Sequence, residues 1–120
     1  MAKKLLDDSY STNVNNIKWF ATTINVADKL YQSNLSSNEF RILFYLLKKI
    51  DKNNCIILIQ KDIADEIGSN KYTVSRAMSK FKNLDILRKS GVKMYMFNPY
   101  FFYATGATNI TFYKNLYNNL

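Results

Sequence analysis

Residues 60–81, QKDIADEIGSNKYTVSRAMSKF, hold two amphipathic helical repeats separated by only three residues, and few folds accommodate such a pair. In the first repeat Ile63, Ala64 and Ile67 share one face, and Gly68 is free to take the left-handed conformation that ends a helix. In the second, Asn70 is a favourable N-cap, and Val74, Ala77, Met78 and Phe81 form one apolar stripe. Two short helices joined by a tight Gly-containing turn predict a helix-turn-helix. Downstream, ILRKS and VKMYMF are strand-like runs on either side of Ser90-Gly91, the pattern of a β-hairpin turning at those two residues. Upstream, Ser36 and Glu39 make a capping box, with Leu35 and Phe40 at the staple positions. A helix over 37–50 is expected to follow. Its stripe is Phe40, Leu43, Phe44, Leu47 and Ile50, widened by Ile42 and Leu46. Residues 51–54 (DKNN) read as a turn and CIILI as a short buried strand. Helix, strand, helix, helix and hairpin in that order predict the winged form of the helix-turn-helix.

The expected fold class is therefore α+β, mostly helical, with the winged helix-turn-helix over residues 36–97. Residues 1–16 are polar and patternless and read as an N-terminal arm. Residues 17–35 read as an extension, with a strand in KWFATTI (18–24), a short helix around Val26 to Tyr31, and Trp19 as a packing anchor. Residues 98–120 carry the one Pro and a crowd of aromatics, then a C-terminal helix capped by Thr108 or Asn109. On that helix Ile110, Tyr113, Leu116, Tyr117 and Leu120 recur at helical spacing. Such a helix either folds back on its own core or pairs with another copy. A core built from 120 residues is small for so many aromatics, which favours a homodimer interface.

Absences narrow the chemistry. The chain contains no His, which excludes Ser-His-Asp and Cys-His catalysis and any His-ligated metal. One Cys makes neither a thiolate zinc site nor an internal disulfide, in keeping with a reducing compartment. Neither glycine-rich phosphate loop is present. The acidic cluster Asp62, Asp65 and Glu66 has spacing suited to helix-dipole compensation rather than to a metal. Nine Tyr residues have no neighbour that would activate one as a nucleophile. The expectation is a protein without catalytic activity, metal or cofactor. With the longest apolar run only Cys55 to Ile59 and no signal-peptide pattern, it is also expected to be cytoplasmic and without a membrane partner.

Charge points to a partner. Seventeen Lys and Arg stand against nine acids, a net +8. From Lys48 to Lys93 there are 11 basic residues and five acids, so most of the surplus falls on the helix-turn-helix and hairpin. A localised surplus suits a polyanion. On the second helix of the pair, Tyr72, Arg76 and Ser79 point opposite the apolar stripe, flanked by Ser75 and Lys80. Outward groups like these suit the major groove of duplex DNA. Arg76 matches guanine O6 and N7, Asn70 and Ser75 base edges or phosphates, and Tyr72 a thymine methyl or a phosphate. Lys71, beside Thr73 in the first turn, favours a phosphate at the helix N-terminus, and Lys61 the flanking backbone. Arg88, Lys89, Ser90 and Lys93 surround the expected hairpin tip, as suits a wing laid along the minor groove or the phosphates. Any one of these features alone describes an ordinary solvated face; their coincidence in winged-helix order points to DNA.

KDIADEIGSNKYTVSRAMSKFKNLDILRKSG, followed by VKMYMFNPYFF, resembles the winged-helix segment of the RepL group of plasmid replication proteins from low-GC bacteria. Met96-Phe97-Asn98-Pro99 is the more specific element, and LSSNEFRILFYLLKKI resembles the helix that precedes the motif in that group. The resemblance implies binding to a plasmid origin or iterated control site, with Asn70, Lys71, Tyr72, Ser75 and Arg76 as recognition positions. It leaves open replication initiation or its control, a transfer or partition accessory role alongside plasmid or host proteins, and transcriptional repression. A reading from another class is a protein interaction module that docks through its aromatic tail.

Overall fold

The computed structural model describes residues 19–104 and 109–120; the polar arm over 1–16 and the alternative cap Thr108 lie outside them. The fold is α+β, with five helices and two small antiparallel sheets among the described residues. The order is β1 (Phe20–Thr22), α1 (Ile24–Gln32), α2 (Ser37–Lys48), β2 (Cys55–Ile57), α3 (Gln60–Ile67), α4 (Lys71–Asn83), β3 (Leu87–Gly91), β4 (Met94–Phe97), β5 (Phe102–Ala104) and α5 (Ile110–Asn118). One sheet pairs β1 with β5, and the other runs β2-β4-β3.

Local chemistry sets the helix ends. Ser36 and Glu39 close the capping box of α2, with the Ser36 N–H donating to Glu39 Oε1 at 2.7 Å and the Glu39 N–H to Ser36 Oγ at 3.1 Å. Gly68 stands at φ 70°, where a Cβ would be strained, and lets the Ser69 N–H bond the Ala64 carbonyl at 2.8 Å. Asn70 Oδ1 then accepts from the Thr73 N–H at 2.9 Å and starts α4. The break between α3 and α4 is thus as short as the sequence requires.

Val74, Ala77, Met78 and Phe81 of α4 are buried against Ile63, Ala64 and Ile67 of α3 and against α2. On α2 the inward residues are Ile42, Leu43, Leu46 and Leu47, whereas Phe44 is 57% exposed. This differs from the expected stripe. The helix carries more apolar residues than one face can bury, and packing against both α3 and α4 centres the buried face on Ile42 and Leu46. Trp19 also departs from expectation, at 62% exposed. Its neighbour Phe20 turns inward instead, ring edge to face with Phe102 at 6.0 Å, as strand alternation dictates.

The hairpin turns two residues later than the sequence predicts. Lys89 pairs with Tyr95 and Gly91 with Met94, so a bulge leaves Ser90 unpaired and Val92-Lys93 form the tip. Lys93, at φ 54°, takes the left-handed position in the turn.

The aromatic tail closes the structure. Asn98 Oδ1 accepts from the Tyr100 N–H at 2.9 Å, and its Nδ2 donates to the Asp85 carbonyl at 2.9 Å, so the Asn-Pro turn is tied to the end of α4. The fully buried Asn54 joins the two sheets: its Nδ2 donates to the carbonyls of Phe97 and Phe102, both at 2.9 Å, and its Oδ1 accepts from the Ala104 N–H at 2.8 Å.

Candidate nucleic-acid interface

Four lysines from three elements converge on one side of α4. Lys61 in the first turn of α3, Lys71 at the start of α4, Lys89 on β3 and Lys93 at the hairpin tip line an open groove of about 320 Å³ with Leu58, Ile59, Gln60 and Tyr95. Tertiary structure, not spacing, makes this cluster, since the four span 32 positions of sequence. The Leu58 N–H donates to the Lys93 carbonyl at 2.7 Å and holds the hairpin tip against the entry to α3. Lys89 lies across from Tyr95 in the ladder, which sets it on the groove side of the sheet. None of the four is in an ion pair among the described residues. Four ammonium groups around one groove favour a polyanion with spaced negative charges. Gln60, Ile59 and Tyr95 were not anticipated there; the Lys89–Tyr95 cross-strand pair is the signal that finds Tyr95.

The outward face of α4 carries Tyr72, Ser75, Arg76 and Ser79, all exposed. Ser75, Arg76, Ser79, Lys80 and Asn83 also line a shallow depression that reaches Glu39 on α2. Asn70 and Thr73 are partly committed: the Thr73 hydroxyl donates to Asn70 Oδ1 at 3.2 Å, in addition to the backbone cap.

Three expected contact residues are engaged by other groups or turned inward. Lys80 Nζ lies 3.2 Å from Glu39 Oε1 and 3.4 Å from the Asn34 carbonyl, and so braces α4 against the start of α2. Partial burial pushes the Glu39 carboxyl up, but the Ser36 N–H and Lys80 outweigh it and hold the group below its usual range. Arg88 faces away from the lysine groove. Its Nε and Nη2 donate to the Asp85 carboxylate at 2.9 and 3.3 Å, and its Nη1 donates to the Tyr117 carbonyl at 3.0 Å. Ser90, expected at the tip, lies in the bulge with its Oγ buried. Lys80 is held by a partner distant in sequence, Arg88 by Asp85 three residues before it together with the distant Tyr117, and Ser90 is displaced by the shift in the turn.

Tyr117 corrects the expected interface of the C-terminal helix. It is 1% exposed, and its hydroxyl donates to Asp85 Oδ1 at 2.6 Å while Arg88 lies 4.4 Å over its ring. Burial and the bond to Asp85 both push the Tyr117 phenol far above its usual value. Asp85 itself is pushed up by partial burial, yet Arg88 and Tyr117 together hold its carboxyl below the ordinary range. Of the other four, Ile110 and Tyr113 are half-buried, with the Tyr113 hydroxyl donating to Asn53 Oδ1 at 3.1 Å, while Leu116 and Leu120 stay exposed beside Phe112.

Among the described residues no group of three or more Cys, Asp or Glu is gathered as metal ligands would be, and no helix is long and apolar enough to cross a membrane. No curated protein and no solved structure matches the chain. A family profile does, over residues 11–120, nearly the whole length, and its description is Firmicute plasmid replication protein. The chain belongs to the RepL family.

Proposed function

We propose that this plasmid replication protein binds duplex DNA sequence-specifically at an origin or control site, as a winged helix-turn-helix, and acts by occupying that site rather than by catalysis. The observation that carries the reading is the convergence of Lys61, Lys71, Lys89 and Lys93 beside the start of α4. With α4 in the major groove, Arg76 meets guanine O6 and N7, and Ser75 and Ser79 face neighbouring base edges or phosphates. The lysine groove then follows one phosphate strand, and the β3-β4 hairpin acts as the wing. Arg88 is held by Asp85, so the wing offers ammonium groups to the phosphates and no arginine to the minor groove.

Two copies on related half-sites would pair through an exposed C-terminal edge, Phe112 and Leu116 of α5 with Leu120 just beyond it. That edge also favours a second copy over the aromatic-tail docking module, because Phe97, Phe102 and Tyr117 are spent on the interior.

The test is a salt titration on a duplex selected from random DNA and from the plasmid. Four neutralised phosphates predict a slope of roughly −4 in log affinity against log salt, from about −0.9 for each. Lys89→Ala reduces that slope by about one and weakens all duplexes alike, whereas Arg76→Ala relaxes base preference. Binding that ignores salt, or variants that bind as tightly as the parent, would refute the interface.

A further inference from the structure

Arg76 is exposed on the outward face of α4. Among the described residues its side chain makes no hydrogen bond and no ion pair. Glu39 lines the same depression, yet its carboxylate is already engaged by the Ser36 N–H at 2.7 Å and by Lys80 at 3.2 Å. The contact that Arg76 does make is aromatic: its guanidinium carbon lies 5.6 Å from the centre of the Tyr72 ring, one helical turn earlier. Tyr72 is 69% exposed, so its ring is not needed for the core. The ring offers a face that attracts the cation while leaving the in-plane N–H donors free.

A free arginine side chain samples many rotamers and must lose that freedom when it pairs bidentately with a base. A ring that holds the guanidinium in advance removes part of that loss, and only for duplexes in which a base accepts both donors. We propose that Tyr72 is a positioning residue for Arg76: it sets base preference by holding the guanidinium, without itself reading a base. This rests on the reading of α4 as the base-contacting helix. A phenol contact of Tyr72 with DNA is a separate idea, and the two differ in what Phe at this position does.

The experiment measures the affinity of the full-length chain for its selected duplex and for a scrambled duplex of the same length, with Tyr72→Ala, Tyr72→Phe, Arg76→Ala and the double variant Tyr72→Ala/Arg76→Ala. Circular dichroism confirms that each is folded. The expected result is that Tyr72→Ala lowers the ratio of selected to scrambled affinity about two- to fivefold, the range of an exposed cation–π contact. Tyr72→Phe leaves the ratio unchanged, because the ring remains. In the Arg76→Ala background Tyr72→Ala has no further effect. Loss of selectivity with Phe, or an undiminished effect of Tyr72→Ala without Arg76, overturns the positioning role while leaving the reading of α4 intact. If Arg76→Ala itself leaves the ratio unchanged, the reading of α4 fails and the proposal with it.

Discussion

Asn54 and Lys93 show what single residues do here. Asn54 has no exposed surface, sits at φ 66°, and satisfies two carbonyls and one N–H from strands of both sheets. Asn54→Ala leaves those groups unpaired and puts a Cβ without a polar partner in the left-handed region. It is expected to cost about 3 kcal/mol or more, read from urea unfolding. Lys93 also adopts a left-handed backbone, one that glycine takes without strain. Lys93→Gly is expected to raise stability by about 1 kcal/mol and yet weaken duplex binding, because it removes an ammonium from the groove. Stability by urea unfolding and affinity by fluorescence anisotropy should move in opposite directions; if both rise, Lys93 does not face phosphate. Asn70, Gly68 and the Ser36–Glu39 box were legible in sequence because their partners lie within a few residues. Asn54 was legible only as a turn residue, since its side-chain partners are 43 to 50 positions away.

Among the elements, α5 is the one whose role changed most between sequence and structure. Its pattern suits either an intermolecular or an intramolecular face, and periodicity does not tell them apart. Tyr117 decides for the interior, clasping the Asp85–Arg88 pair that joins the end of α4 to β3. The clasp makes stability depend on pH at both ends. Asp85 is depressed in the folded state, so its contribution is full above the ordinary carboxylate value of about 4 and is lost as pH falls through the lower folded value. Tyr117 is raised, so its contribution is full below about 10 and is lost as pH climbs beyond that. Asp85→Asn should flatten the acid limb of a stability-versus-pH curve, and Tyr117→Phe the alkaline limb. A curve for Tyr117→Phe that falls above pH 10 as steeply as the parent's would remove the clasp from the explanation. The three-residue strand β5 was hidden in the aromatic run for a related reason: PYFFY shows no alternation, and only its pairing with β1 makes Phe102–Ala104 a strand.

On the scale of the whole molecule, the lysine groove and the exposed apolar edge near the C-terminus are built from different elements. The lysine groove lies between α3, α4 and the hairpin, whereas Phe112 and Leu116 are carried by α5 and Leu120 lies just past its end. If those three residues join two copies, Leu116→Glu should shift the molecule toward monomer in analytical ultracentrifugation while circular dichroism shows the fold unchanged, because the side chain is 44% exposed. It should also weaken binding to a two-half-site duplex much more than to a single half-site. A parent that is monomeric at the highest concentrations measured would remove the pairing.

What the sequence determined by itself is the set of elements whose causes are local. The α3-turn-α4 unit follows from two apolar periods, one glycine and one N-cap, all within 22 residues; the capping box likewise settles where α2 begins. Net charge, and its concentration between residues 48 and 93, needed no coordinates either. Only tertiary structure decided which charges remain available. Lys80 looks as free in sequence as Lys61 and Lys89, but Glu39, 41 positions away, holds it; Arg88 has Asp85 three residues before it, and the distant Tyr117 carbonyl and ring complete its hold. It also decided that the aromatic tail turns inward, because the buried Asn54 and Asn98 and the partly buried Asp85 supply polar anchors that bring distant backbone together. Periodicity reports which face of a helix is apolar; the partner for that face is set by the packing of the whole chain.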